Sequence, residues 1–396
     1  MKVAFLTAGG IAPCLSAAIG RLIIKYSKED ANIEMMGYIN GYKGLLLGNS
    51  IPIYQDVINS AEILYQFGGS PIGNSRVKLS NAKDCIKNGY INTGEYPLQV
   101  AAKQLMKDKV NILHTIGGDD TNTTAGELVA YFAKDGYKLT VVGLPKTVDN
   151  DVFPIQQTLG AWTAAEQGAV YFENIVNENT TSSRQLIIHE VMGRHCGWLT
   201  AATAHEYRNR LQNREFLPSL LIDKKRWDID AIYIPEIKID IKAESQRLKK
   251  RMDEKDSINI FLSEGAGIEN IIQEMEGNNQ EVKRDAFGHV RLDEMNPGQW
   301  FAKQFSKGTL SEKVLVQKSG YFSRSAKPNT KDLQLIFQSV DMAVSCALNG
   351  ESGVIGFDEN HNNQLQCIEF NRIKGGKPFN IKSEWFHTML NDIGQL

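Results

Sequence analysis

Short β-branched and aliphatic runs recur along the chain, and most of them break off into a cluster of glycine and charged residues. Runs at 3–7, 112–116, 139–144, 186–191, 231–234 and 258–262 are too short for helices and are separated by longer amphipathic stretches. This is the βαβ pattern of a mostly parallel sheet. Between them, 97–107 opens with a proline suited to a first helical turn, and 159–176 spaces its apolar residues as a helix does. Ligands of open α/β sheets bind at the carboxyl ends of strands. The clusters sit there: Gly9-Gly10, Gly117-Gly118-Asp119-Asp120, the 146–151 segment, Gly193-Arg194, and Glu264-Gly265.

At 396 residues the chain has length for two to three domains. Hydrophobic residues at 42% and charged residues at 23% exclude a disordered or collagen-like chain. Lys and Arg number 44 against 46 Asp and Glu, so no basic excess exists to hold a nucleic acid or an anionic membrane. Anionic ligands must be met locally. Cysteines 14, 85, 196, 346 and 367 form no C-x-x-C pair, which signals reduced thiols and a cytoplasmic chain rather than a disulfide framework or a zinc site. The first apolar run, 3–6, is far shorter than a signal-peptide hydrophobic region. Nothing approaches the roughly 20 apolar residues of a spanning helix. Polar stretches at 224–230 and 277–285 read as surface connections.

Each cluster admits two readings. Gly9 and Gly10 make either a tight βα turn or a place where backbone N–H groups approach a phosphate. The loop Gly68 to Arg76 is glycine-rich, and Arg76 is either solvated or a planar cation for phosphate oxygens. Asp119 and Asp120 repel each other; they either cap a helix or help to hold Mg²⁺, which takes one or two carboxylates together with phosphate oxygens. Lys146, Asp149 and Asp151 crowd a single loop, as catalytic loops do. Arg194 after Gly193 either flanks a helix or forks onto a phosphate. Glu264 can accept hydrogen bonds from sugar hydroxyls, and Tyr321 and Arg324 add a phenol and a cation. His189, His195, His205 and His289 lack metal-ligand spacing, so they read as packed or exposed histidines.

Taken in order, Thr7-Ala-Gly-Gly-Ile-Ala-Pro13, Gly117-Gly-Asp-Asp120, Pro145-Lys-Thr-Val-Asp-Asn-Asp151 and Glu190-Val-Met-Gly-Arg194-His-Cys-Gly197 resemble the phosphofructokinase family. The likeness runs to about Arg324. It implies two Rossmann-like, three-layer α/β domains with mostly parallel sheets and an active site in the cleft between them. The expected division is 1–157 plus about 293–350 for the donor domain, and about 158–292 plus 351–396 for the sugar-phosphate domain. By matching motif, Asp149 is the base for the sugar 1-hydroxyl, Asp119 lies near Mg²⁺, and Gly10 and Arg76 lie at the donor. Thr147, Asp149, Met192, Gly193, Arg194, Glu264, Tyr321 and Arg324 match sugar-phosphate positions.

ATP-using relatives carry glycine where this chain has Asp120 and Lys146, so the resemblance is to the pyrophosphate-dependent branch. It implies reversible phosphoryl transfer from pyrophosphate to fructose 6-phosphate, in glycolysis or gluconeogenesis, by a homodimer or homotetramer with Mg²⁺ as the only cofactor. Arg76, Lys146 and Asp120 join Asp149 in the expected catalytic set. The alternative is an ATP-dependent 6-phosphofructokinase. Nicotinamide-dinucleotide and lipid kinases lack the Met-Gly-Arg segment, and a regulatory subunit without catalysis would have lost Asp149 or Asp119. Cys14 and Ser16 stand where many relatives have Gly and Asn. Arg184 lies one residue out of register with an arginine that relatives contribute across a subunit interface. Gly20 and Ile24 replace effector-binding arginines of allosteric relatives.

Overall fold

The computed structural model of the chain describes residues 1–283 and 295–396. His289, the expected domain border at 292/293 and the last residues of the 277–285 stretch lie outside them. The chain divides into two compact units. Unit 1 comprises Met1–Thr163 and Arg324–Lys377; unit 2 comprises Ala164–Ser323 and Pro378–Leu396.

Unit 1 is built on a seven-stranded sheet. Its strands are β1 (Lys2–Thr7), β2 (Glu34–Tyr38), β3 (Ser50–Ile53), β4 (Ile112–Gly117), β5 (Thr140–Pro145), β10 (Gly353–Asp358) and β11 (Gln364–Ile368). The order is β11-β10-β5-β4-β1-β2-β3, parallel except at the two edges, where β3 and β11 run antiparallel to their neighbours. Every residue of β4 and β5 is buried, as expected of strands covered on both faces. Alternation sorts their side chains. Ala4, Leu6, Leu113 and Val141 pack with the helices Pro97–Lys107 and Asp119–Asp135. Phe5 and His114 turn to the other face and meet Tyr26 of the helix Leu15–Glu29. There the Tyr26 hydroxyl and His114 Nε2 are 2.7 Å apart, and burial pushes the imidazole pKa down to about 3.

Unit 2 holds a four-stranded parallel sheet in the order β7-β8-β6-β9. Its strands are β6 (Gln185–Val191), β7 (Ala231–Tyr233), β8 (Ser257–Ser263) and β9 (Lys313–Lys318). Leu186, Ile188 and Ile260 pack with Leu248 and Met252 of the helix Ile241–Lys255 and with Phe301 and Phe305 of the helix Pro297–Thr309. On the opposite face His189 stacks on Phe172, with ring centroids 5.4 Å apart. Its Nε2 lies 2.8 Å from Ser319 Oγ, so His189 is a packed core histidine. Both units are therefore three-layered α/β domains.

The last third of the chain divides differently from the expected borders. β9 pairs with β6 in register from Gln185–Lys313 to Glu190–Lys318, which assigns the stretch up to Ser323 to unit 2. β10 pairs with β5 and carries β11 with it, which assigns the residues up to Lys377 to unit 1. The 224–230 stretch is also not a surface connection. It forms the short helix Lys224–Trp227, buries Trp227 and Ile229, and ends at Asp230, whose carboxylate accepts from Asn259 N at 2.9 Å and pairs with Lys255 at 2.9 Å. Among the described residues no helix is long and apolar enough to cross a membrane.

Candidate active site

In unit 1, β1 lies between β4 and β2, and β4 lies between β1 and β5. The helix after β1 leads to β2 on one side and the helix after β4 leads to β5 on the other, so the chain changes direction at the β1/β4 pair. Crevices of this kind bind ligands in open α/β sheets. Three neighbouring strand ends meet there: the Gly9-Gly10 turn follows β1, Asp119 and Asp120 follow β4, and the 146–151 loop follows β5.

The turn after β1 is stitched to the glycine-rich loop. Gly9 N donates to Ser75 O at 2.8 Å, Asn74 Nδ2 donates to Gly9 O at 2.6 Å, and Ser16 Oγ donates to Gly69 O at 2.9 Å. Ser16 thus ties the first turn of the helix Leu15–Glu29 to the glycine-rich loop. Gly9 has φ +88°, which suits glycine. A Cβ placed on Gly10 would lie 3.7 Å from Arg76 Nη2 and 3.9 Å from Arg324 Nη1. Lys146 reaches the same turn, donating from Nζ to Gly10 O at 2.6 Å. Lys146 is buried, and loss of hydration pushes its pKa down to about 8 against the pull of Cys14, Asp149 and Asp151. Arg324 was expected among the sugar-phosphate residues; it stands beside Gly10.

Asp119 and Asp120 are the first two residues of the helix Asp119–Asp135, and the N-cap is Gly118 without a side-chain cap bond. They are therefore not caps, although two carboxylates in the first turn suit the positive end of the helix dipole. The two diverge. Asp120 is exposed and pairs with Lys78 at 2.6 Å. Asp119 lies against the backbone of Gly375, where any Cβ would collide with its carboxylate. Burial, followed by the charge of Asp119, raises the Asp151 pKa. Two carboxylates held near each other, with the charge of Asp119 raising the proton affinity of Asp151, fit a divalent cation. Among the described residues no group of three or more His, Cys, Asp or Glu is arranged to hold a metal. Mg²⁺ commonly takes one or two carboxylates and completes its shell with water and substrate phosphate.

The loop after β5 leaves the sheet with Lys146 N bonded to Gly117 O at 2.8 Å. Asp149 N donates to Thr147 Oγ1 at 3.1 Å, and Thr147 Oγ1 donates to Asp151 at 3.2 Å. Its return leg is clasped to the outgoing one: Thr158 Oγ1 donates to Thr147 O at 2.8 Å, and Thr158 N donates to Asn150 Oδ1 at 2.9 Å. Asn150, at φ +54° and buried, is the pivot.

Unit 2 repeats the arrangement at β8, β6 and β9, which are neighbours in its sheet. Met192, Gly193 and Arg194 follow β6, Glu264 and Gly265 follow β8, and Tyr321 follows β9 by three residues. Gly193 has φ +132°, and a Cβ there would meet Cys196 O at 2.5 Å. At Gly265 a Cβ would collide with the Arg194 carbonyl, so the two turns are in backbone contact. Arg194 stands in the turn ahead of the helix Trp198–Gln212, whose N-cap is Gly197. Burial raises the Glu264 pKa, and a hydrogen bond from the Gly193 backbone opposes the shift. Beside Arg194 opens a cavity of about 610 Å³ lined by His195, Glu236, Lys238, Glu269 and Asn270. Tyr321 is 78% exposed.

Sequence reasoning passed over two cations. Lys78 answers Asp120, and Lys318, at the end of β9, pairs with Glu190 at 2.7 Å. Neither belongs to a glycine-flanked cluster, the signal that exposed the others. Arg184 spends its donors inside unit 2, on Leu310 O, Thr309 O and Asp253.

The phosphofructokinase family model matches residues 2–347. The pyrophosphate–fructose 6-phosphate 1-phosphotransferase of Methylomonas methanica is 59% identical over 394 residues, covering 100% of this chain and 96% of that protein. The protein of the same name from Propionibacterium freudenreichii subsp. shermanii is 53% identical, covering 100% and 98%. Among solved structures, the pyrophosphate-dependent phosphofructokinase of Marinobacter aquaeolei superposes with a TM-score of 0.71 at 19% identity, covering 99% of this chain and 91% of that one, a likeness of fold. Matched by the family model over most of its length and by relatives 53–59% identical along all of it, the chain belongs to the phosphofructokinase family.

Proposed function

We propose that this chain transfers a phosphoryl group reversibly from inorganic pyrophosphate to the 1-hydroxyl of fructose 6-phosphate, giving fructose 1,6-bisphosphate and phosphate. The observation that carries the reading is Lys146, whose buried ammonium is pinned to Gly10 O at 2.6 Å in the loop that also bears Asp149. A fixed cation at the glycine turn, with Arg76 and Arg324 beside it, suits a short, highly charged donor. Relatives 53–59% identical to this chain carry the name of that activity.

Asp149 takes the proton of the 1-hydroxyl as its oxygen forms a bond to phosphorus, and the bridging P–O bond of pyrophosphate breaks to release phosphate. Such transfers depend on positioning and charge neutralisation more than on covalent chemistry. Lys146, Arg76 and Arg324 supply positive charge from the protein. Asp119, with Asp151 beside it, would hold Mg²⁺, which when bound neutralises phosphate oxygens. In unit 2, Arg194 presents a guanidinium to the sugar phosphate, Glu264 accepts from sugar hydroxyls, Met192 and Gly193 shape the turn, and Tyr321 offers a phenol. Asp120 works against a longer nucleotide donor. The proposal extends to a cytoplasmic homodimer or homotetramer, which light scattering measures; Cys14, Cys85, Cys196 and Cys346 are buried thiols, compatible with a reducing compartment.

Steady-state assays of the purified chain with fructose 6-phosphate, Mg²⁺ and each donor in turn test the reading. Turnover with pyrophosphate and little with ATP is expected. Turnover with ATP alone would replace it with the ATP-dependent alternative.

A further inference from the structure

The loop that carries Lys146, Thr147 and Asp149 has a return leg, and that leg is anchored by a residue from far along the chain. Asp332 lies in the first turn of the helix Thr330–Leu348 and is 0% exposed. Its carboxylate accepts from Gly160 N at 3.1 Å, from Thr163 N at 2.7 Å and from Thr163 Oγ1 at 2.5 Å. Asn329 closes the ring: its N donates to Thr163 Oγ1 at 3.0 Å, and its Oδ1 accepts from Asp332 N at 2.9 Å.

Burying a carboxylate is costly unless several donors satisfy it, and removing one partner leaves the others exposed to that cost. What the arrangement achieves is local. Gly160 has φ +92°, and a Cβ on it would lie 3.1 Å from Pro13 Cδ. The anchored leg therefore abuts the segment between the Gly9-Gly10 turn and the first helix. Directly upstream, Leu159 N donates to Pro145 O at 2.9 Å and Thr158 clasps Thr147 and Asn150. A shift of Gly160 is transmitted through these bonds to the residues on either side of Asp149.

We infer that Asp332 is a positioning residue for phosphoryl transfer: by fixing Gly160 and Thr163 it sets the path of the loop that presents Lys146 and Asp149. The inference rests on the proposed activity. Misplacement by about an ångström at a reacting group costs as much as about a hundredfold in rate. The consequence falls on kcat, since binding groups in unit 2 are untouched.

The test compares Asp332→Asn and Asp332→Ala with Leu105→Ala, a core substitution in the helix Pro97–Lys107 of the same unit, buried in a cluster that contains no residue of the loop. An asparagine oxygen can keep the Thr163 bonds while its amide loses the one to Gly160, so a graded loss is expected. Asp332→Asn should lower kcat about tenfold and Asp332→Ala further, with KM for fructose 6-phosphate within about threefold of wild type. Leu105→Ala should lower Tm and leave kcat near wild type. If Asp332→Ala does not fold, Thr163→Val, which keeps the shape and the backbone bond, should lower kcat by about threefold. An unchanged kcat in folded Asp332→Asn and Thr163→Val, a loss confined to KM, or an equal loss of kcat in Leu105→Ala overturns the inference. Absence of wild-type turnover with pyrophosphate would instead overturn the proposed activity, so the two failures are distinguishable.

Discussion

In each unit three neighbouring parallel strands end side by side, but unit 1 fills its turns with braced charge whereas unit 2 leaves a cavity of about 610 Å³ beside Arg194. The Gly9-Gly10 turn is tied to Ser75 and Asn74, Lys146 is buried against it, and the Asp149 loop is clasped along both legs. Unit 2 relies on bare glycines, Gly193 and Gly265, to bring two turns into backbone contact. Under the proposed function the difference is a division of labour. Charge that must act in a transition state is fixed in advance, whereas a sugar phosphate is met by room, one guanidinium and a half-buried carboxylate.

The largest effect should come from the braced side. Asp149→Ser removes the base, and general-base catalysis is worth about 10² to 10⁴ in rate. Stopped assays should find kcat reduced in that range, with fructose 6-phosphate still bound on calorimetric titration. A near-normal kcat would remove Asp149 from its role.

Lys146→Met comes next. Loss of one preorganised donor typically costs about 10² to 10³ in kcat. The same lysine also sets a pH limb. Burial holds its pKa near 8 rather than the ordinary 10.5, so its charge is lost as pH rises through about 8. The pH profile of kcat should fall above that point in the wild type and lose this limb in the variant. Stability moves the other way: the folded state holds fewer protons at this site than the unfolded state between about 8 and 10.5, so this group's contribution to stability grows as pH rises across that window.

On the open side, Arg194→Ala should act through binding. Hydrogen bonds to charged groups are worth about 1.5–3 kcal/mol, so KM for fructose 6-phosphate should rise by roughly ten- to a hundredfold with a smaller change in kcat. An unmoved KM would contradict the assignment of Arg194 to the sugar phosphate.

The smallest effect is expected at Asp120. Its carboxylate is exposed and already paired with Lys78 at 2.6 Å, and exposed pairs contribute about 0–1 kcal/mol. Asp120→Gly should therefore shift the ratio of kcat/KM for pyrophosphate over ATP by only about fivefold. A shift of several orders of magnitude would make Asp120 a dominant barrier to ATP rather than a minor one.

Much of this contrast was legible in the sequence because glycine and charge mark strand ends. The helix Pro97–Lys107 follows from its opening proline, and β1, β4, β5, β6, β7 and β8 follow from their apolar runs. The strands β2, β3, β9, β10 and β11 did not announce themselves. β3 contains Pro52, β11 alternates glutamine with apolar residues, and β9 is bounded by lysines. Their state is decided by pairing with distant partners, which local pattern does not carry. The course of the last third followed the same logic, since β9 joins β6 and β10 joins β5 only through those pairings. At the site, residue types were readable but partners were not: Lys78 opposite Asp120, Arg324 beside Gly10 and Asp332 behind Gly160 all meet across long stretches of chain.

The central claim is that the charged turns of unit 1 serve pyrophosphate. It is tested most directly by following phosphorus NMR of the wild-type protein given fructose 6-phosphate, Mg²⁺ and equal concentrations of pyrophosphate and ATP in one tube. Pyrophosphate is expected to be consumed while orthophosphate and fructose 1,6-bisphosphate appear and the ATP resonances stay constant. Conversion of ATP to ADP with pyrophosphate left intact would contradict it.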